Sequence, residues 1–288
     1  MYLDFYKLRE FPFAISCDER FFYASAGHSE ALANMMYTIA QRKGMVLVSG
    51  EVGAGKTFVS NLLVSRLGPS CQCVLLQSPP ANGKQLLRAV CNRAGLALSA
   101  AADKLRVTDE LEQHLLRLHS RGRLLALLLD EAQDLTAAVL EELRLLWNWE
   151  CQGQRLIQIV LLGQPELRHK LLMPRWEPLR QRIVLSYHLQ RLQAGDVAPY
   201  IAHRLAVASP EGPAVSFTDE AADDVYAAAC GIPRSVNVLC DAALLVGYTR
   251  EARVIGRQII AEVLKEMMCW GVGQTPQAPE HQSVGPGV

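Results

Sequence analysis

The stretch Gly50-Glu51-Val52-Gly53-Ala54-Gly55-Lys56-Thr57 decides the fold of this chain. It fits the spacing Gly-x-x-x-x-Gly-Lys-Ser/Thr, in which a glycine-rich turn joins a strand to a helix. The apolar residues 45–48 before it are typical of a buried strand, and residues 58–67 after it carry apolar side chains at helical spacing. Glycines let main-chain N–H groups approach phosphate oxygens, and the N-terminus of a helix favours negative charge. The stretch therefore predicts a site for a nucleoside triphosphate.

Two side chains of this loop have predicted roles. Lys56 would reach the β- and γ-phosphates, and the Thr57 hydroxyl would be a ligand of Mg²⁺. Without the flanking strand and helix, the same residues would indicate only a glycine-rich loop with an exposed lysine. We expect ATP to contact the loop and the residue that follows it, namely Gly50, Glu51, Val52, Gly53, Ala54, Gly55, Lys56, Thr57 and Phe58.

The composition narrows the class of protein. The chain has 288 residues, of which 50% are hydrophobic, so it is globular with one large or two smaller domains. Its 29 basic and 29 acidic residues give zero net charge, which supplies no general attraction to nucleic acid or anionic lipid. The longest apolar run, residues 124–129, is far shorter than the roughly 18–20 residues that cross a bilayer, and the N-terminus has no export signal. We therefore expect a cytoplasmic protein without a transmembrane segment, whose eight cysteines are reduced thiols.

Strand and helix patterns alternate in the first two thirds of the chain, which predicts an α/β fold with a parallel sheet. From about residue 190 only helical patterns follow, which predicts a second, helical domain without strands. The predicted strands are 45–49, 73–76, 124–129, 156–162 and 183–187, and the main predicted helices are 83–94, 109–120, 137–149, 194–208, 219–229, 234–248 and 256–269.

These patterns divide the chain into four parts. Residues 1–42 form an N-terminal helical and aromatic segment of the nucleotide-binding module, and residues 43–189 form its core. Residues 190–270 form the helical domain. Residues 271–288 are rich in Gly, Pro and Gln without apolar periodicity, so we expect a disordered tail.

An acidic pair follows the predicted strand 124–129. Asp130 and Glu131 would lie at the C-terminal edge of the parallel sheet, where open α/β folds bind their ligands. Asp130 would hold Mg²⁺ through water, and Glu131 would be the catalytic base. Two acids can also simply begin a surface loop, but the phosphate-binding loop upstream favours the catalytic interpretation.

Further polar residues complete the predicted site. Gln164 follows the strand at 156–162 and would orient the attacking water if that strand neighbours the acidic pair. Either Arg180 or Arg182 would act as a finger in a neighbouring subunit's site, because a guanidinium neutralises charge that develops during transfer; we favour Arg182. Arg234, at a predicted helix start, would face the nucleotide. A solvated surface arginine is the alternative for these basic residues.

Aromatic residues and a histidine precede the first strand. His28 and these aromatics would line the adenine side of the pocket, although such residues are more often part of a core. The aromatics are Phe11, Phe13, Phe21, Phe22 and Tyr23.

Together these motifs resemble the ExeA-like branch of the AAA+ ATPases, which serves general secretion and MSHA-type pilus biogenesis. The resemblance runs from Tyr2 to about Met268. It implies a P-loop NTPase core of the AAA+ type with a parallel five-stranded sheet and a C-terminal helical lid. It also implies ATP held between the subunits of a ring or filament, with Gln164 as first sensor, Arg182 as finger and Arg234 as second sensor. Besides the loop it rests on Phe5-Tyr6-x-Leu8, His28-x-Glu30-Ala31-Leu32, Asp130-Glu131-Ala132-Gln133, residues 140–146, Gly163-Gln164-Pro165-Glu166-Leu167, Gln181-Arg182-Ile183 and Gly231-Ile232-Pro233-Arg234.

The resemblance implies that ATP and Mg²⁺ drive or switch the assembly of a type II secretion system or an MSHA-like pilus. Family members in secretion often continue into a membrane span and a peptidoglycan-binding region, and we expect neither here. An envelope role would therefore need a membrane-embedded partner that holds the chain at the inner membrane. A DNA-binding transposition helper is the alternative function, and a nucleotide sensor without turnover is a third.

Overall fold

The computed structural model describes residues 2–209 and 211–269, with side chains to Met267. The tail predicted for residues 271–288 lies outside the described residues. The strands are β1 (Met45–Ser49), β2 (Cys71–Leu76), β3 (Leu124–Leu129), β4 (Glu150–Cys151), β5 (Gln154–Arg155), β6 (Ile157–Gly163), β7 (Ile183–His188), β8 (Ser216–Phe217) and β9 (Val254–Ile255). The helices are α1 (Tyr2–Tyr6), α2 (Ala26–Ala40), α3 (Lys56–Arg66), α4 (Gly83–Arg93), α5 (Lys104–Ser120), α6 (Ala137–Trp147), α7 (Pro165–Leu172), α8 (Glu177–Arg180), α9 (Ala194–Ala208), α10 (Asp219–Ala229), α11 (Pro233–Thr249) and α12 (Arg257–Cys269).

Five strands form one parallel sheet in the order β2-β3-β6-β1-β7. This confirms the predicted α/β fold with a parallel five-stranded sheet. Because β3, β6 and β1 are neighbours, the segments that follow their C-terminal ends meet at one edge of the sheet. Those segments carry the acidic pair, Gln164 and the glycine-rich loop.

The central strand β1 shows how the sheet buries both faces. Met45 and Leu47 belong to an apolar cluster with α4, α5 and α6, whereas Val46 and Val48 belong to a cluster with α2 and α3. Successive side chains of a strand point to opposite faces, so a continuous apolar run is what a doubly covered strand requires. The two clusters fix the position of the loop that follows β1.

A third apolar cluster holds the C-terminal helical region, residues 190–269. Helices α9, α10, α11 and α12 pack around it, and the first residues of the chain join it through Tyr2, Tyr6 and Phe13. The Tyr6 hydroxyl donates to the Ala252 carbonyl at 3.0 Å. The N-terminal residues before α2 therefore pack on the helical region, while α2 itself packs on the sheet.

Two short strand pairs were absent from the sequence expectation. Strands β8 and β9 pair in parallel inside the helical region, so the expectation of no strand there is wrong. Strands β4 and β5 form an antiparallel pair, and helix α6 ends at Trp147 just before it instead of reaching residue 149. Two-residue strands are too short to show a period in the sequence, which explains why they were missed.

Membrane insertion of the described part can be judged from its helices. No helix within residues 2–209 and 211–269 is both long and apolar enough to span a lipid bilayer.

Candidate nucleotide-binding site

The glycine-rich loop turns sharply between β1 and α3. Gly53 and Gly55 have φ angles of 80° and 97°, in the left-handed region that disfavours side chains. A Cβ on Gly53 would also lie 2.8 Å from the Cβ of Arg234. Glycine is therefore required at position 53 both for the turn and for the close approach of α11.

Lys56 begins α3 and lies inside the loop. The side chain is buried, and its Nζ donates to the carbonyls of Gly50 at 2.8 Å and Glu51 at 2.9 Å. Burial lowers the pKa of Lys56, while the nearby carboxylates of Glu131 and Asp130 oppose that shift. The ammonium group is thus desolvated and held by neutral carbonyl oxygens, which an anion can replace.

Asp130 joins the loop to the acidic pair. Its Oδ2 accepts a hydrogen bond from the Thr57 hydroxyl at 2.6 Å, and its Oδ1 accepts from the backbone N–H of Glu131 at 2.9 Å. The carboxylate is buried at 3% exposure. Proteins usually bind Mg²⁺ through only one or two of their own oxygen ligands, and the ion keeps several water ligands. The Thr57 hydroxyl and the Asp130 carboxylate therefore fit that ion. Groups of three or more His, Cys, Asp or Glu that could form a protein-only metal cage are absent from the described part of the chain.

The side-chain amide of Gln133 holds Glu131. The residue adopts a left-handed backbone conformation with φ 50°, which is uncommon outside glycine and often found at functional sites. The Nε2 of Gln133 donates to Glu131 Oε2 at 2.7 Å, and the Oε1 of Gln133 accepts from the backbone N–H of Gln164 at 3.0 Å. Gln133 therefore links the acidic loop to the loop after β6. Only its place in the Asp130–Gln133 motif signalled it, and it is not among the predicted site residues.

Glu131 and Gln164 line the same cavity, as their adjacent strands require. The cavity has a volume of about 340 Å³, and Lys56 and Thr57 lie in its wall. The predicted base, water-orienting amide and phosphate-binding lysine are thus brought together around one space.

Arg234 closes the cavity from the helical region. Its backbone N–H donates to the Gly53 carbonyl at 3.3 Å, and the residue lines the cavity in the first turn of α11. Pro233 occupies the first helical position, where its missing N–H costs nothing. The predicted helix start is therefore correct, and it sets this arginine directly against the loop.

His28 contacts the loop on its other side. Its Nε2 lies 2.9 Å from the Ala54 carbonyl and its Nδ1 lies 2.7 Å from the Ser25 hydroxyl. Nε2 must carry the proton to donate to a carbonyl, so Nδ1 accepts from Ser25. Burial lowers the pKa of His28, which favours this neutral form. The histidine therefore supports the loop, and it also lines the cavity.

Aromatic side chains form the far end of the cavity. Phe22 and Phe58 stack with ring centroids 5.7 Å apart and an interplanar angle of 13°. Phe21 and Tyr23 also line the cavity, together with residues 14–17. Phe11 is exposed and Phe13 packs with the helical region, so neither lines the cavity.

Arg182 lies away from the cavity of its own chain. Its carbonyl accepts from the backbone N–H of Met45 at 3.1 Å, at the end of β1 opposite the glycine-rich loop. Its guanidinium bonds the Pro178 carbonyl, donates to Asn148 Oδ1 at 3.2 Å and lies over the Trp147 ring. Any role of this side chain in ATP hydrolysis would require a second subunit.

The strand order and the loop define a P-loop protein of the AAA class. Residues 39–171 match the AAA domain family model. Two archaeal structures share the fold: ORC2 of Aeropyrum pernix has a TM-score of 0.63 at 18% identity, covering 85% of this chain and 68% of that one. Cdc6p of Pyrobaculum aerophilum has a TM-score of 0.68 at 14% identity, covering 88% of this chain and 70% of that one.

The chain is also similar in sequence to a named bacterial protein. It is 39% identical over 255 residues to "General secretion pathway protein A" of Aeromonas hydrophila. The match covers 88% of this chain and 46% of that protein, so the chain spans about half the length of this relative. Residues 39–171 are thus an AAA domain, and the chain resembles the ExeA-like AAA ATPases over most of its length.

Proposed function

We propose that the chain binds and hydrolyses ATP with Mg²⁺. The observation that carries the proposal is the direct hydrogen bond between Thr57 and Asp130 at 2.6 Å, beside a desolvated Lys56. These three groups belong to two distant segments of the chain. Lys56 and Thr57 line one cavity with Glu131, and Asp130 is hydrogen-bonded to Thr57 at its edge. This set of groups is what binding of a magnesium triphosphate requires.

Binding would use groups that already point into the loop. Lys56 would exchange its two carbonyl partners for phosphate oxygens, because a charged acceptor gives a stronger hydrogen bond than a carbonyl. Thr57 and Asp130 would hold Mg²⁺, one directly and one through water. When bound, the ion supplies positive charge that neutralises the phosphate oxygens.

Hydrolysis would begin at Glu131. Its carboxylate lines the cavity and would take a proton from a water molecule that attacks the terminal phosphate. Gln133 fixes one oxygen of that carboxylate and also fixes the Gln164 backbone. Gln164 would then orient the same water with its side-chain amide, as its place in the cavity allows.

Arg234 would couple nucleotide binding to the position of the C-terminal helical region. The residue belongs to α11 yet contacts Gly53 of the loop, so a phosphate that binds the loop also changes what α11 touches. The C-terminal helical region would act as a lid that closes on ATP and relaxes after hydrolysis.

We propose that the active form is an oligomer in which Arg182 completes a neighbour's site. Two variants that are each inactive test this directly: Arg182→Ala, and Glu131→Gln with its arginine intact. When the two are mixed, some sites receive a working base from one subunit and a working arginine from the next, so activity should reappear. Full activity of Arg182→Ala alone, or no recovery on mixing, contradicts the proposal.

The cellular role we propose is assembly of a secretion or pilus system through a membrane partner. It is supported by the similarity to general secretion pathway protein A over most of this chain. Deletion of the gene should then reduce export or surface pili. An ATP-dependent shift of duplex DNA that weakens with salt would instead favour the transposition-helper function.

The variant Glu131→Gln tests the reaction itself. It keeps the size of the side chain and removes the base, so ATP should stay bound while phosphate release falls by at least about 100-fold, as is typical when a general base is lost. The exposed acid Glu112 on α5 gives a matched control, Glu112→Gln, which should hydrolyse normally. Normal turnover by Glu131→Gln would show that the base is assigned wrongly.

A further inference from the structure

The aromatic end of the cavity contains a buried cation. Arg204 on α9 is 4% exposed, and its guanidinium lies 4.9 Å from the centroid of the Phe21 ring. It donates from Nε to the Pro12 carbonyl at 2.5 Å and from Nη2 to the Ala14 carbonyl at 2.9 Å. The arginine therefore holds the segment around residues 12–14 at the mouth of the cavity.

The same arginine sets the direction of a hydrogen-bond chain. Its Nη1 donates to the Tyr200 hydroxyl oxygen at 2.9 Å. The Tyr200 proton is then free to go to Asn237, and the hydroxyl donates to Asn237 Oδ1 at 2.7 Å. An arginine has no acceptor, so the chain can run only in this direction.

This chain fixes the side-chain amide of Asn237. The oxygen of the amide is occupied by Tyr200, so the NH₂ group is on the other side. Within the described residues that NH₂ group makes no hydrogen bond, although Asn237 is only 7% exposed and lines the cavity. The NH₂ group is open to the cavity, and a ligand that covered it without accepting from it would leave a buried donor unpaired, which is costly. This points to a ligand with an acceptor at that position.

The position of Asn237 indicates which part of a ligand it meets. It lies three residues after Arg234 on α11, which is about 4.5 Å along the helix and on the same face. Arg234 contacts the phosphate-binding loop, whereas Asn237 contacts Tyr200 at the aromatic end. Flat aromatic walls suit a base, and adenine presents unprotonated ring nitrogens on each of its edges.

We propose that Asn237 reads the base of the nucleotide by donating from Nδ2 to a ring nitrogen of a purine, with Tyr200 and Arg204 as positioning residues. This inference rests on the proposed binding of ATP at the same cavity. The amide would favour adenine over guanine where it meets the Watson–Crick edge, because N1 of guanine is itself a donor.

Calorimetric titration with ATP and with its 1-deaza, 3-deaza and 7-deaza analogues tests the proposal. In the wild-type protein, one analogue should bind about tenfold more weakly than ATP, as expected for the loss of one hydrogen bond in a buried site. Asn237→Asp keeps the acceptor for Tyr200 but removes the donor. Its added negative charge should weaken all nucleotides, but the roughly tenfold preference of the wild type for ATP over that one analogue should disappear.

Two further measurements separate a base contact from a general defect. Because Asn237→Asp adds a negative charge to the cavity, it should weaken inorganic triphosphate as well, but by about tenfold less than it weakens ATP. Val238→Ala, at an exposed position of the same helix, is the matched control and should bind ATP normally. Tyr200→Phe, which frees the amide to turn, should weaken ATP without affecting triphosphate.

The outcomes distinguish this proposal from the proposed function. If the wild-type protein binds ATP and all three deaza analogues equally, Asn237 makes no hydrogen bond to a ring nitrogen of the base. The proposed binding of ATP would still stand. Equal loss of ATP and triphosphate in Asn237→Asp also overturns it, because a base contact cannot affect triphosphate. A wild-type protein that binds neither ATP nor triphosphate overturns the proposed function instead.

Discussion

Replacing Gln133 removes the only link that the described residues provide between the Glu131 carboxylate and the loop after β6. In the variant Gln133→Leu the size of the side chain is roughly kept, while three hydrogen bonds are lost: to Glu131 at 2.7 Å, to the Gln164 N–H at 3.0 Å and to Asp134 at 3.2 Å. Glu131 has an uncommon left-handed backbone and depends on such contacts to keep one orientation. We expect the base to turn away from the attacking water for most of the time.

The size of the effect follows from the bond to the carboxylate. A hydrogen bond to a charged group contributes about 1.5–3 kcal/mol. If that energy is lost from the transition state, kcat falls roughly 10- to 150-fold, and partial solvent exposure of Gln133 favours the lower end. KM should change little, because Gln133 is not in the wall of the cavity. Steady-state phosphate release across ATP concentrations measures both constants.

Thr136→Ala supplies the matched control from the same loop. Thr136 caps α6 by accepting from the Val139 N–H at 3.3 Å, so its loss should lower stability by about 1 kcal/mol without changing kcat. An unchanged kcat in Gln133→Leu, or a fall in kcat in Thr136→Ala of the same size, would refute the positioning role of Gln133.

Two other predictions concern groups that support the loop. Gly53→Ala should lose most of its affinity for ATP, because the new Cβ would lie 2.8 Å from the Cβ of Arg234. The control Gly68→Ala, at φ 65° with open space around it, should lose only about 1–2 kcal/mol of stability. Equal ATP affinity of the two variants in titrations contradicts this prediction. The pKa of His28 is lower in the folded state than in the unfolded state. As the pH falls below about 6.5, the unfolded state therefore takes up the proton first and the protein loses stability. The loss is about 1.4 kcal/mol for each pH unit by which folding lowers this pKa. In urea unfolding between pH 5 and 8, His28→Gln should lose that part of the pH dependence, and an unchanged slope would contradict it.

The parts of the fold that were predictable are those whose pattern is local. The run Leu124–Leu129 is apolar throughout because both faces of β3 are covered, and its bounds were predicted correctly. Helix α5 begins at Lys104, five residues before the predicted start, because Asp103 caps it by accepting from the Arg106 N–H. That capping residue was visible in the sequence, but the apolar period near it was too weak to extend the helix.

The site residues likewise divide into those that a local sequence pattern reveals and those that only the fold brings together. The glycine-rich loop lies in one segment with a fixed spacing, so sequence alone located it, and the strand order brings Asp130 to it. Gln133 contacts Gln164, 31 residues away, Tyr200 contacts Asn237, 37 residues away, and Arg204 contacts Pro12, 192 residues away. No short motif records such distances, so these residues could be recognised only in the folded chain. The catalytic roles of Glu131, Gln164 and Arg182 stay predictions, as do the ligand-binding roles of Lys56, Thr57, Asp130 and Arg234.

Direct binding of ATP to the purified protein tests the central claim. Calorimetric titration with ATP in the presence of Mg²⁺ should show saturable binding to the wild-type chain. Lys56→Ala should weaken it by at least about 100-fold, because a buried charged hydrogen-bond donor to the phosphates is lost. No detectable binding to the wild type at millimolar ATP, or equal binding to both proteins, would contradict the account of the site.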